Sequence, residues 1–159
     1  MNKRRIIQSI VAHLVGELEV YTRAAQAAHA EATDEQSKAE HKYDTRGLEA
    51  SYLARGQSRQ AADLEAAIAA FQKLDARKFK DGEGIDIGAL VELDHDGERT
   101  FYFIGPKAGG TEITYNKQTI LVITPKSPLG EQLQGRKQGD RIQLILAGAR
   151  SDHQIIKVL

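Results

Sequence analysis

The chain has 159 residues, and its 22 Lys plus Arg balance 22 Asp plus Glu, so the formal net charge is zero. That length allows one compact domain or two small ones, and the neutral balance argues against free duplex nucleic acid as the main ligand, which needs a basic patch to neutralise phosphates. There is no cysteine, which excludes a disulfide framework, a thiolate metal site and a cysteine nucleophile.

The apolar runs fall far short of the ~20 residues of a membrane span. The start, MNKRRIIQSIVAHL, is basic but lacks a continuous apolar stretch and a small-residue cleavage site, unlike a secretory signal. A cytoplasmic protein with no membrane partner is expected.

Ile7, Val11, Leu14, Leu18, Tyr21, Ala25 and Ala28 follow a 4-3 spacing, the a/d seam of a two-helix coiled coil. The spacing predicts a helix over about Lys3 to Thr33, ~45 Å long at 1.5 Å per residue. A second arm mirrors it, with Ala50, Ala54, Gln57, Ala61, Leu64, Ile68 and Phe71 on the same repeat. In both arms the large residues lie at one end and the alanines at the other. An antiparallel pairing sets small residues against small ones and predicts a shaft that narrows towards its tip. Ala also favours helix by itself, and that explanation of the alanines carries equal weight. The seam covers only about three heptads per arm, which favours an intramolecular hairpin, and a monomer, over parallel helices of a dimer.

Between the arms lies the polar segment DEQSKAEHKYDTRGLE, from Asp34 to Glu49, which holds the carboxylates Asp34, Glu35, Glu40, Asp44 and Glu49. Glu40 and Asp44 share a face if this part is helical, being four apart. Lys38, His41, Lys42 and Arg46 make the local field mixed. Two carboxylates suffice to share a Mg²⁺ when a partner supplies the remaining oxygens; a solvated loop is the plainer explanation of the same residues. Tyr43, Leu48 and Tyr52 flank the acids and either pack the tip or touch a partner. The histidines form no paired ligand spacing, and no Ser-His-Asp order or phosphate-cradling glycine loop stands out. No stably bound metal or cofactor, and no enzyme with a site of its own, is expected.

After Leu74 the pattern changes, and a boundary is placed between Asp75 and Ile87. Strands are predicted at Ala89–Asp94, Arg99–Ile104, Thr111–Tyr115, Thr119–Ile123, Arg141–Leu146 and Gln154–Val158, with an Asp96-Gly97 hairpin turn. Ser127 is a good N-cap and Pro128 fits the first helical position. Leu129 and Leu133 give one apolar face and Gly135 a stop. The fold class is therefore α+β. Residues 1–77 form an antiparallel helical hairpin with its tip at about 33–49, and residues 78–159 form a bent antiparallel β domain with one short helix.

Ser127-Pro128-Leu129-Gly130, then Leu133, Gly135-Arg136-Lys137, Gly139-Asp140 and a closing pair of strands resemble the C-terminal domain of Gre-type bacterial transcription elongation factors, the GreA/GreB family. Tyr102-Phe103-Ile104-Gly105 matches that family's motif in the earlier hairpin. The resemblance covers roughly Gly88 to Leu159 by motif and the helical hairpin by architecture and order. It implies an FKBP-like C-terminal fold that docks on bacterial RNA polymerase through Ser127, Pro128, Leu129, Gly130 and Leu133. It also implies a hairpin that enters the polymerase secondary channel, with nucleic acid met only through that complex. In the family, two acidic tip residues share the polymerase's catalytic Mg²⁺ and the polymerase then cleaves backtracked RNA, so the factor lends ligands to metal-assisted hydrolysis. Here Asp44, Glu49 and Glu40 are the acids placed for that role, and Tyr43, Arg46 and Tyr52 the accompanying tip contacts. The family tip reads Asp-Leu-Ser-Glu-Asn-Ala-Glu-Tyr. Aligning Ala50 and Tyr52 on it puts Thr45 and Leu48 where the family has its acids, and one residue of helix turns a side chain by about 100°. Two outcomes stay open: stimulation of transcript cleavage, or a non-cleaving channel regulator of initiation or of competing channel factors. A peptidyl-prolyl isomerase is suggested by fold analogy alone, and no aromatic cluster for its pocket is evident. A plain coiled-coil adaptor is the remaining alternative.

Overall fold

The computed structural model describes residues 1–34, 45–146 and 148–159. The chain divides into two compact units, Met1–Val11 with Ala69–Leu159, and Ala12–Ile68. This division falls within the helices, because the base of each helix belongs with the sheet.

Helix α1 runs Lys3–Thr33 and α2 runs Arg46–Gln72. The seam positions of both helices are buried or half-buried and the other faces are largely exposed. Within Ala12–Ile68 the two helices are antiparallel. Thr22, Ala25, Gln26 and His29 share a groove with Ser58, Ala61, Ala62 and Glu65, and Glu31 near the end of α1 meets Arg46 at the start of α2 (3.2 Å). The narrow alanine seam buries little area per residue, so this stretch is held by repetition rather than by large side chains.

The other unit holds a six-stranded sheet ordered β3-β4-β2-β1-β6-β5. Its strands are β1 Leu90–His95, β2 Glu98–Ile104, β3 Glu112–Tyr115, β4 Gln118–Ile123, β5 Arg141–Leu146 and β6 Ala149–Val158. The sheet is mixed, not purely antiparallel as expected. β2 and β4 run parallel, with Phe103 opposite Val122, because β3 and β4 form their own hairpin outside β2. β6 begins five residues earlier than predicted. Its first half alternates exposed and half-buried residues and is recruited by pairing with β5, so no apolar run announces it. The β1–β2 turn uses Asp96 and Gly97, both at positive φ, as the Asp-Gly signal requires.

Successive side chains of a strand face opposite ways, and both faces of the sheet are covered. On one face Val91, Leu93, Ile104, Ile123, Ile142, Leu144 and Ile155 pack with Phe79, Ile85, Leu129 and Leu133. On the other, Phe103 meets Phe71 of α2, with ring centroids 6.1 Å apart. Gly105 makes that approach possible, since a Cβ there would lie 2.7 Å from Phe71 Cζ and 2.8 Å from Val122 Cγ1. Ile6, Ile10 and Phe71 are fully buried in the same unit.

Candidate functional site

Two sets of residues are singled out by the sequence: the start of α2 at the tip, and the short helix α3, Pro128–Leu133. Each is taken by itself.

Glu40, Tyr43 and Asp44 lie outside the described residues. Of the tip acids, Glu49 is described. It lies in the first turn of α2, where the helix dipole favours a carboxylate, and the Thr45 hydroxyl donates to its Oε1 at 2.8 Å. Arg46 is ion-paired with Glu31. Ala50 is buried in the seam, whereas Leu48 and Tyr52 are 56% and 62% exposed. Leu48 and Tyr52 are one helical turn apart and so lie on one side of α2, which leaves two large apolar side chains facing outward beside Glu49. This segment presents a carboxylate, a leucine and a tyrosine outward on a helix whose opposite side is committed to the seam.

The second set is built tightly. Ser127 caps α3: its Oγ accepts from the Gly130 N–H (3.0 Å) and donates to the Thr124 carbonyl (2.8 Å). Pro128 occupies the first turn, as its fixed φ allows. Leu129, Gly130 and Leu133 are buried, with both leucines in the sheet's core. Gly130 sits against the loop before α3, and a Cβ there would lie 1.9 Å from the Thr124 carbonyl oxygen. The surface this motif offers consists of Pro128, Glu131 and Gln134, which are exposed, with Ser127 and Gln132 half-buried. Leu129, Gly130 and Leu133 hold that surface in place from beneath.

The segment entering the sheet locks the same region. Ile85 N–H donates to the Arg136 carbonyl (2.7 Å) and Gly135 N–H to the Ile85 carbonyl (2.8 Å). The Gln134 side-chain amide donates to Asp86 Oδ1 at 3.0 Å. That bond, joined by the Ile87 N–H, holds the Asp86 carboxyl below its ordinary range. Sequence reasoning missed Thr124, Ile85 and Asp86, because each contributes through a contact that only the folded chain creates. It also missed Lys3, a buried cation whose only trace in the sequence is the basic run at the start. Among the described residues no group of three or more His, Asp or Glu is placed to hold a metal ion, and no helix is long and apolar enough to cross a membrane.

No protein-family model matches the chain, and no curated protein matches it. Among solved structures, the chain is similar to GreA factor homolog 1 (Gfh1) of Thermus thermophilus, with 23% identity, 94% of each chain covered and a TM-score of 0.40. It is similar to Gfh1 of Thermus aquaticus at 23% identity, with 95% of this chain and 94% of that one covered and a TM-score of 0.41. A prokaryotic transcription elongation factor GreA/GreB from Nitrosomonas europaea shares 17% identity over 70% of this chain and 91% of its own, with a TM-score of 0.37.

Proposed function

We propose that the chain is a factor that docks on bacterial RNA polymerase through the α3 region, inserts its helical hairpin into the secondary channel and thereby regulates transcription elongation. The observation that carries this reading is the pairing, in one chain, of an antiparallel hairpin whose tip segment is rich in acids with a Ser127–Asp140 motif that opens on the short capped helix Pro128–Leu133. The factor acts through the polymerase's own active site and takes no part as an enzyme by itself. The polymerase supplies the Mg²⁺. Asp44, with Glu49 or Glu40, is the ligand pair that would clamp it and help activate the attacking water. Tyr43, Arg46 and Tyr52 accompany them as tip contacts.

A second reading, a non-cleaving channel regulator of initiation or of competing channel factors, is favoured by one observation. Glu49 is held by Thr45, the residue just before its own helix, and Thr45 and Leu48 stand where an acidic pair would be needed.

A transcript-cleavage assay on a halted, backtracked elongation complex tests the two. The ligand reading predicts faster release of short 3′ RNA fragments, lost on Asp44→Asn. Cleavage that persists with Asp44, Glu40 and Glu49 all neutralised contradicts it. No cleavage, together with displacement of a known channel factor, supports the non-cleaving regulator.

A further inference from the structure

The first turn of α1 contains no acidic residue and instead places Lys3 and Arg4 at the positive end of the helix dipole, where cations are disfavoured. These two residues open onto a cleft of about 700 Å³ whose lining also includes Asn2, Lys78, Phe79 and Asn116, with no acidic side chain among its lining residues. All belong to the sheet-bearing unit. Lys3 is only 8% exposed. Its ammonium donates to the main-chain oxygen of Leu159 (2.9 Å) and lies 4.7 Å from the centre of the Phe79 ring. Arg77 covers the same ring at 4.1 Å, and its guanidinium pairs with Glu83 at 2.7 Å. Glu83 is thus engaged by another cation, Asp75 also acts on Lys3, and Leu159, which holds the ammonium, is itself part of the cleft lining.

We propose that this cleft binds a small anion carrying two or more linked phosphates, an inorganic polyphosphate or the polyphosphate of a nucleotide. Three cationic side chains match the charge of such a tail. Ammonium and guanidinium donors form charge-assisted bonds to phosphate oxygens, and the Asn116 amide adds a neutral donor. The volume is within the ordinary range of small-molecule sites. The ligand supplies the negative charge that the first helical turn lacks. The inference does not depend on the polymerase reading.

Burial first, and Arg77 second, push the Lys3 ammonium down to about 8, while Asp75 and Glu83 pull the other way. A phosphate beside Lys3 favours its charged form. Binding near pH 8 therefore includes a proton uptake at Lys3, read as the difference in proton linkage between the native chain and Lys3→Met, because the triphosphate itself also titrates in this range.

The test is calorimetric titration of the full chain with sodium triphosphate, without divalent cations, at pH 8 in two buffers of different ionisation enthalpy. The expected result is saturable binding, weakened about tenfold or more in the Arg4→Ala/Lys78→Ala double variant. Both side chains are exposed, so that variant keeps the fold. Lys3→Met is expected to shift the proton linkage towards less uptake per ligand bound. Adenosine triphosphate binding more tightly than triphosphate identifies a nucleotide ligand, and equal binding identifies the phosphate chain alone. Absence of saturable binding, affinity unchanged in the double variant, or proton linkage unchanged in Lys3→Met overturns the proposal.

Discussion

Gly130 shows how much one residue decides in the α3 region. The position leaves no room for a methyl group, because the Thr124 carbonyl oxygen and Ser127 Oγ would lie 1.9 and 2.9 Å from it. The first of these is backbone inside a tight turn and cannot step aside like the end of a flexible side chain. Gly130→Ala is expected to lower unfolding stability by about 3 kcal/mol or more, measured by urea denaturation. Ser127→Ala, which removes a cap but introduces no clash, should cost only ~1 kcal/mol. The Ser-Pro helix start was legible in the sequence because capping is a local rule. The reason for the glycine was not, because Thr124 comes from the preceding loop and meets Gly130 only after the turn closes. Lys3 makes the same point more sharply. Its environment is set by Phe79, Arg77 and the main chain at Leu159, and no window around MNKRR contains them.

At the scale of elements, the seam was readable position by position. A 4-3 repeat is a property of one helix, and every residue it selects in α1 and α2 is buried or half-buried. Ile6 and Ile10 lie beside that stripe and are fully buried as well, since the base of α1 belongs to the sheet-bearing unit. Strand positions were legible from their apolar alternation, but pairing was not. Nothing in β4 states that its neighbour is β2 and that the two run parallel.

The β1–β6 seam carries a pH dependence. His95 and His153 stack with centroids 4.6 Å apart. His95 Nδ1 is bonded to the Asp152 carbonyl (2.7 Å), His153 Nε2 to Ser151 Oγ (2.8 Å). Burial, then the His95 charge, hold the His153 pKa below its ordinary 6.5, while Asp152, Asp94 and Asp96 act the other way. In the unfolded chain the ring therefore takes its proton at higher pH than in the folded one. Stability from this group is fully present above about pH 6.5 and is lost as pH falls from there through the folded value. Chemical denaturation of the native chain and of His153→Gln, compared from pH 7.5 to 5, should show a steeper acid loss in the native chain. Parallel curves would contradict this.

At the scale of the molecule, the two units present different chemistry. One is an alanine-seamed pair of helices that buries little per residue and ends in an acid-bearing segment. The other is a sheet with both faces covered and a helix fixed to it by a cap, a glycine contact and the Ile85–Arg136 bonds. The chain's zero net charge suits a protein partner that itself holds the nucleic acid. In the function proposed above, that partner is RNA polymerase. The tip chemistry was the least legible part, because its carboxylates stand out of step with the pattern they resemble, and Glu49 turns out to be bonded to Thr45.

The most direct test of the polymerase reading is a titration of fluorescently labelled chain with core RNA polymerase from the same cells, followed by competition with a known secondary-channel factor. The account predicts saturable binding that the competitor displaces. Absence of binding, or binding that the channel factor leaves untouched, would contradict it.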